Sequence, residues 1–120
     1  MTQAIKLQTK TLTMDYANII LQQLGGNQFL MMTGSKNLVK DDSRKSLTMK
    51  LTTNKAKAQY LTITLDASDT YSMEFVSVNK NFERKVKASY EGVYNDMLQD
   101  IFTSVTGLYT KMLRLRDKSF

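Results

Sequence analysis

The residues best suited to act on a phosphodiester are Glu83-Arg84-Lys85, with Asp69 fourteen positions upstream. Two carboxylates on neighbouring strands could hold Mg²⁺ through oxygen while Lys85 sits near the attacked phosphate. Strand alternation puts Glu83 and Lys85 on one face. The Glu-x-Lys spacing is nonetheless common by chance in a basic chain, and an exposed charged pair on a sheet is much the commoner explanation. A Mg²⁺-dependent nuclease is therefore kept only as a remote alternative. The other acids, Asp41-Asp42, Asp66 and Asp69, and Asp96 and Asp100, read as a loop, turn caps and a solvated helix face.

Other chemistries fall to composition. The chain has no His and no Cys. Imidazole bases, Ser-His and Cys-His nucleophiles, disulfides and thiolate-bound metals are thereby excluded. Gly25-Gly26 and Gly34 match neither the mononucleotide nor the dinucleotide phosphate-loop spacing. The expectation is a non-catalytic protein with no cofactor and no metal.

Charge points to a binding role instead. Seventeen Lys and Arg against eleven Asp and Glu leave a net +6, with pI near 9.6. Such a balance favours anionic partners, although it also lies within the range that keeps any small domain dissolved. Three basic groups stand out. The segment 34–45 carries Lys36, Lys40, Arg44 and Lys45, and a wet sheet face is expected to carry Lys50, Lys85 and Lys87 among Thr48, Thr62, Thr64, Ser72 and Glu74. The third is Lys111-Met112-Leu113-Arg114-Leu115-Arg116-Asp117-Lys118. Hydroxyl and ammonium groups suit phosphate oxygens and hold a nucleic-acid backbone without reading its sequence. Against this, Tyr60, Tyr71 and Phe82 are expected to turn toward the core, leaving no platform for bases.

The elements that would position these groups follow from periodicity. Residues 1–10 read as an arm, 11–115 as a single domain and 116–120 as a tail. Met14, Ala17, Ile20, Leu21 and Leu24 make a helical stripe. Thr11 or Thr13 is placed to cap it, with Asp15 in its first turn and Gly25-Gly26 at its end. Phe29-Leu30-Met31-Met32 reads as a short buried strand, and 34–45 as a polar loop. Leu47, Met49 and Leu51, then Leu61, Ile63 and Leu65, alternate with polar residues as half-buried strands. Tyr71, Met73 and Phe75 continue the pattern, and Val76 and Val78 break it, so a bulge or a strand end is expected there. A last strand places Phe82, Val86, Ala88 and Tyr90 on one side and Glu83, Lys85, Lys87 and Ser89 on the other. Val93, Tyr94, Met97, Leu98, Ile101, Phe102 and Val105 form the wide face of a second helix stopped at Gly107, and a short helix is expected over 108–115. Met31, Met32 and Met97 are expected to fill core gaps.

The resulting class is α+β: an antiparallel sheet of four to five strands with an N-terminal and a C-terminal helix on one face. A double-stranded RNA-binding domain has a comparable order but needs a Lys-rich start to its last helix. Here that segment is Tyr90-Glu91-Gly92-Val93-Tyr94-Asn95-Asp96, which is acidic. No apolar run approaches the length of a membrane span, so a cytoplasmic protein with no membrane contact is expected.

Leu24-Gly25-Gly26-Asn27-Gln28-Phe29, Met32-Thr33-Gly34-Ser35-Lys36-Asn37, Leu65-Asp66-Ala67-Ser68-Asp69-Thr70-Tyr71 and Val93-Tyr94-Asn95-Asp96-Met97-Leu98 through Thr106-Gly107-Leu108-Tyr109 resemble a family of short uncharacterised proteins of phages and other mobile elements. The resemblance covers roughly residues 14 to 110. It implies a genomic setting, with the host cytoplasm as location, and assigns no activity. Thr33-Gly34-Ser35-Lys36-Asn37 also offers backbone N–H groups and a Lys that could form an anion nest. The sequence thus leads to a basic accessory protein that binds DNA or RNA through phosphates at Lys36, Lys40, Arg44, Lys45, Lys50, Lys85 and Lys87. The alternative is a protein-interaction module, either a virion component or an inhibitor of a host factor. Oligomeric state is not legible.

Overall fold

A computed structural model describes residues 15–110. Helix α1 spans Tyr16–Leu24 and α2 spans Gly26–Thr33. Five strands follow, β1 (Lys36–Asp41), β2 (Ser46–Lys50), β3 (Tyr60–Leu65), β4 (Tyr71–Val78) and β5 (Arg84–Val93). A 3₁₀ turn at Asn95–Met97 leads into α3, Leu98–Thr106. The sheet is an antiparallel meander in the order β1-β2-β3-β4-β5, so the α+β class expected from periodicity is the one observed. Among the described residues no helix is long and apolar enough to cross a membrane.

Helix α1 buries Ala17, Ile20 and Leu24, the stripe expected from their spacing. Its cap is Asp15 itself, whose carboxylate accepts from the Asn18 N–H; Thr11, Thr13 and Met14 lie outside the described residues. Gly25, at φ +125°, stops the helix. The chain then starts a second helix where a strand was expected. In that helix Phe29 and Thr33, four apart, are buried, while Met31 is 84% exposed. A short apolar run has no decisive period, and burial of i and i+4 is what marks it helical. Gly34 ends α2 in the left-handed conformation, at φ +71°.

The segment expected to be a loop after Gly34 instead contains β1. Its side chains are nearly all exposed, because an edge strand with little cover carries no apolar alternation to betray it. At the far end, the expected helix from Val93 begins five residues late. Val93 is the buried last residue of β5, Tyr94 and Met97 are exposed, and α3 buries Leu98, Phe102 and Thr106. Met31, Met32 and Met97 are thus surface residues, whereas Met49 and Met73 lie in the core. Residues 108–110 are not helical. The rest of the expected last helix, the 111–118 basic run, the 1–10 arm and the 116–120 tail lie outside the described residues.

The three helices cover one face of the sheet. Leu47, Ile63 and Met73 form one row of that face, and Met49, Leu61 and Phe75 the next. All are buried against Ile20, Leu24, Phe29, Leu98 and Phe102. Phe102 joins the layers: its ring meets Phe29 edge-on at 5.0 Å and Phe75 at 6.3 Å. Gln99 on α3 donates to the Leu24 carbonyl and closes the exposed end of α1.

The long β2–β3 connection, residues 51–59, is organised by Asn54. Its amide nitrogen donates to the Thr52 and Ala58 carbonyls, and its oxygen accepts from the Ala56 and Ala58 N–H groups. A backbone bond from Lys55 N–H to the Thr106 carbonyl ties this loop to α3.

Two substitutions test this packing. At Gly34 an added Cβ would lie 2.6 Å from Thr52 Cγ2, on a left-handed backbone. Gly34→Ala is expected to cost at least about 1–2 kcal/mol from backbone conformation alone, read as a lower urea midpoint, and Thr52→Ser should restore the steric part. The Tyr71 hydroxyl donates to Gln23 Oε1, and burial, aided by the negative charge of Asp69, pushes its phenol above the ordinary range. The unfolded chain then loses this proton first, at about pH 10. Tyr71 therefore stabilises fully below that pH, and the wild-type advantage over Tyr71→Phe should shrink as pH rises further, measured by urea melts from pH 8 to 11.

Candidate nucleic-acid interface

The sheet face opposite the helices is set by the strand register. One row across all five strands reads Lys36, Lys50, Tyr60, Val76, Val86. The next reads Val39, Thr48, Thr62, Glu74, Ser89, and a third Asp41, Ser46, Thr64, Ser72. Thr48 and Thr62 share a hydrogen bond of 2.9 Å on this face. At about 4.8 Å between strands, the first row extends roughly 19 Å.

The irregularity expected near Val76 is present, and its consequence falls on β5. Phe75 pairs with Ala88 and Val76 with Val86, which leaves Lys87 as an extra residue. One extra residue reverses the alternation beyond it. Val86 therefore lies on the open face, opposite to Ala88 and Tyr90. Lys85, paired with Ser77, is moved to the helix-side face, and Arg84, paired with Val78, takes the open one. Arg84 also bonds Glu74 there.

The aromatics are placed differently from expectation. Tyr71 does enter the core, but Tyr60 lies half-buried on the open face beside Lys50. Phe82 is 87% exposed in the β4–β5 turn and held at φ +63°. Asn79 braces that turn by accepting from the Asn81 and Glu83 N–H groups and donating to Glu83 Oε1. A left-handed backbone costs a residue other than Gly, Asn or Asp about 1–2 kcal/mol, and an exposed Phe recovers none of it by burial.

A meander places alternate connections at opposite ends of the sheet, and here the ends differ in charge. At one end lie the start of β1, the 51–59 loop and the 79–83 turn. They bring Lys36, Lys50, Lys55, Lys57, Lys80, Arg84 and Lys85 together, with Glu83 as the acid among them. At the other end lie the 42–45 and 66–70 turns and the exit from β5, with Asp41, Asp42, Asp66, Asp69, Glu91 and Asp96, and with Arg44 and Lys45 as the cations among them.

The seven cations singled out from sequence are therefore divided. Lys36 and Lys50 are direct cross-strand neighbours at the basic end. Lys85 is at the same end on the far edge, and Lys87 is at the bulge. Lys40 pairs with Leu47 on the helix-side face and meets Asp42 at 3.8 Å. Arg44 meets Asp41 at 3.9 Å. Lys45 lies 5.3 Å over the Tyr16 ring. Asp41 also accepts from the Ser43 hydroxyl and from the Ser43 and Arg44 N–H groups. These bonds, the Ser43 hydroxyl foremost, lower its pKa. Lys55, Lys57, Lys80 and Arg84 were not singled out as binding residues, because only the alternation of hairpin ends brings them beside Lys36 and Lys50.

Two other expectations are corrected. The 33–37 segment is not an anion nest: Gly34 N–H donates to the Leu30 carbonyl and Ser35 N–H to Thr33 Oγ1. Asp69 and Glu83 sit in turns at opposite ends of the eight-residue β4. Seven rises of about 3.3 Å separate those ends by roughly 23 Å, too far for one Mg²⁺. No family model, curated protein or solved structure matches the chain.

Like charges directly opposite in a sheet repel. Lys36→Gln should therefore raise stability at low ionic strength by about 0.2–1 kcal/mol. The gain should fade in molar salt as screening shortens to about 3 Å, both read from urea melts.

Proposed function

We propose that this chain is a non-catalytic accessory protein that binds nucleic acid through its phosphates at the basic end of the sheet. The observation that carries the reading is the gathering of Lys36, Lys50, Lys55, Lys57, Lys80, Arg84 and Lys85 at one end with Glu83 as the acid among them, while six acids against Arg44 and Lys45 lie at the other. The Lys36–Lys50 juxtaposition works against folding, and a phosphate between the two ammonium groups would relieve it. A charge separation of this kind also orients the molecule as it approaches a polyanion. The non-catalytic part of the proposal rests on the lack of His and Cys and on the distance between Asp69 and Glu83. The resemblance to phage and mobile-element proteins supplies the proposed setting, the host cytoplasm, where nucleic acid is at hand.

A protein partner would find the outer edge of β5, where Val86 and Tyr90 are exposed. Lys85, the bulge at Lys87 and the second irregularity near Gly92 oppose strand addition there. Nucleic acid is the better-supported partner.

Fluorescence anisotropy with a labelled oligonucleotide tests the proposal. Affinity should fall steeply from about 50 to 200 mM salt. The combined change Lys36→Gln, Lys50→Gln, Lys80→Gln, Lys85→Gln should weaken binding at least ten-fold and flatten the salt slope by about 3. Arg44→Gln with Lys45→Gln at the acidic end should change affinity less than two-fold. Absence of DNA and RNA binding at 50 mM salt would refute the proposal.

A further inference from the structure

The geometry points to a preference for single-stranded nucleic acid, with Phe82 as a base-stacking platform and Tyr60 as a second; this rests on the phosphate-binding reading above. Phe82 is the most exposed large apolar side chain among the described residues. It occupies a backbone conformation that Asn or Gly would adopt with less strain. The surrounding turn is not loose. Phe82 N–H donates to the Asn79 carbonyl, Asn79 N–H donates to the Glu83 carbonyl, and the Asn79 side chain braces Asn81 and Glu83. Folding therefore fixes the backbone that carries a phenyl ring in water without using the ring for packing.

Its neighbours say what the ring would meet. Lys80 and Arg84 lie two positions to either side of it at the basic end, with Glu83 adjacent and bonded to Asn79, and Arg84 bonded to Glu74. Tyr60 lies one strand further in, beside Lys50 on the open face. An aromatic ring set among cations matches a chain whose unpaired bases present flat faces between phosphates. A duplex hides those faces in its stack, and would engage only the lysines.

The test compares a dT12 strand with a 12-base-pair duplex at equal salt. The wild-type protein should bind the strand at least ten-fold more tightly. Phe82→Ala should weaken strand binding about ten-fold and duplex binding less than two-fold, with no loss of thermal stability. The chain contains no Trp, so Phe82→Trp creates a lone tryptophan that can be excited apart from the tyrosines, which should keep strand affinity and be quenched when bases stack on it. Equal affinity for both nucleic acids, or an unchanged strand affinity in Phe82→Ala, overturns the inference while leaving phosphate binding intact. Failure of the wild-type protein to bind either probe removes the phosphate-binding reading as well.

Discussion

Phe102 is the side chain on which the layers of this protein meet. Its ring lies edge-on to Phe29 of α2 and tilted against Phe75 in the middle of β4, so one residue on α3 joins both ends of the described chain to the sheet. All three rings are fully buried. Truncating such a ring removes a transfer contribution and leaves a cavity, together about 3–5 kcal/mol, a large part of the stability of a domain this size. The helices are short, at nine, eight and nine residues. Helices of that length are marginal alone and persist because they are packed. Gathering them on one side leaves the other sheet face uncovered.

What that open face displays is decided by register more than by composition. The extra residue at Lys87 turns Val86 and Arg84 outward and carries Lys85 to the opposite side. Val76 is consequently 5% exposed although it lies on the open face; Tyr60 and Val86 flank it in the same row. A sheet face that would otherwise be hydroxyls and charges thus has an apolar and aromatic row running from the Lys36–Lys50 pair across to Val86 on β5.

The charge separation has a comparably simple origin. In a meander every second hairpin returns to the same end, so segments about twenty-five residues apart in sequence become neighbours. The lysines of the 51–59 and 79–83 connections meet in this way, as do the aspartates of 42–45 and 66–70. Exposed ion pairs contribute little to folding. The three observed, Lys40–Asp42, Arg44–Asp41 and Arg84–Glu74, include none of the lysines at the basic end. Those lysines are left without acid partners among the described residues, and their charge is directed outward.

Periodicity alone determined the α+β class, the alternating strands around Leu47, Leu61 and Tyr71, the stripe of α1 and the irregularity near Val76, because each leaves a local pattern of period 2 or 3.6. Composition alone removed imidazole and thiol chemistry. Residues 29–32 and 36–41 carry no such signal, because a four-residue apolar run and an exposed edge strand have no distinguishing period. The face on which Lys85 lies, the exposure of Phe82, the gap between Asp69 and Glu83 and the partition of the cations were decided only by tertiary structure. Each depends on register and on the end of the sheet to which a hairpin returns, and those are relations between strands that no single segment encodes.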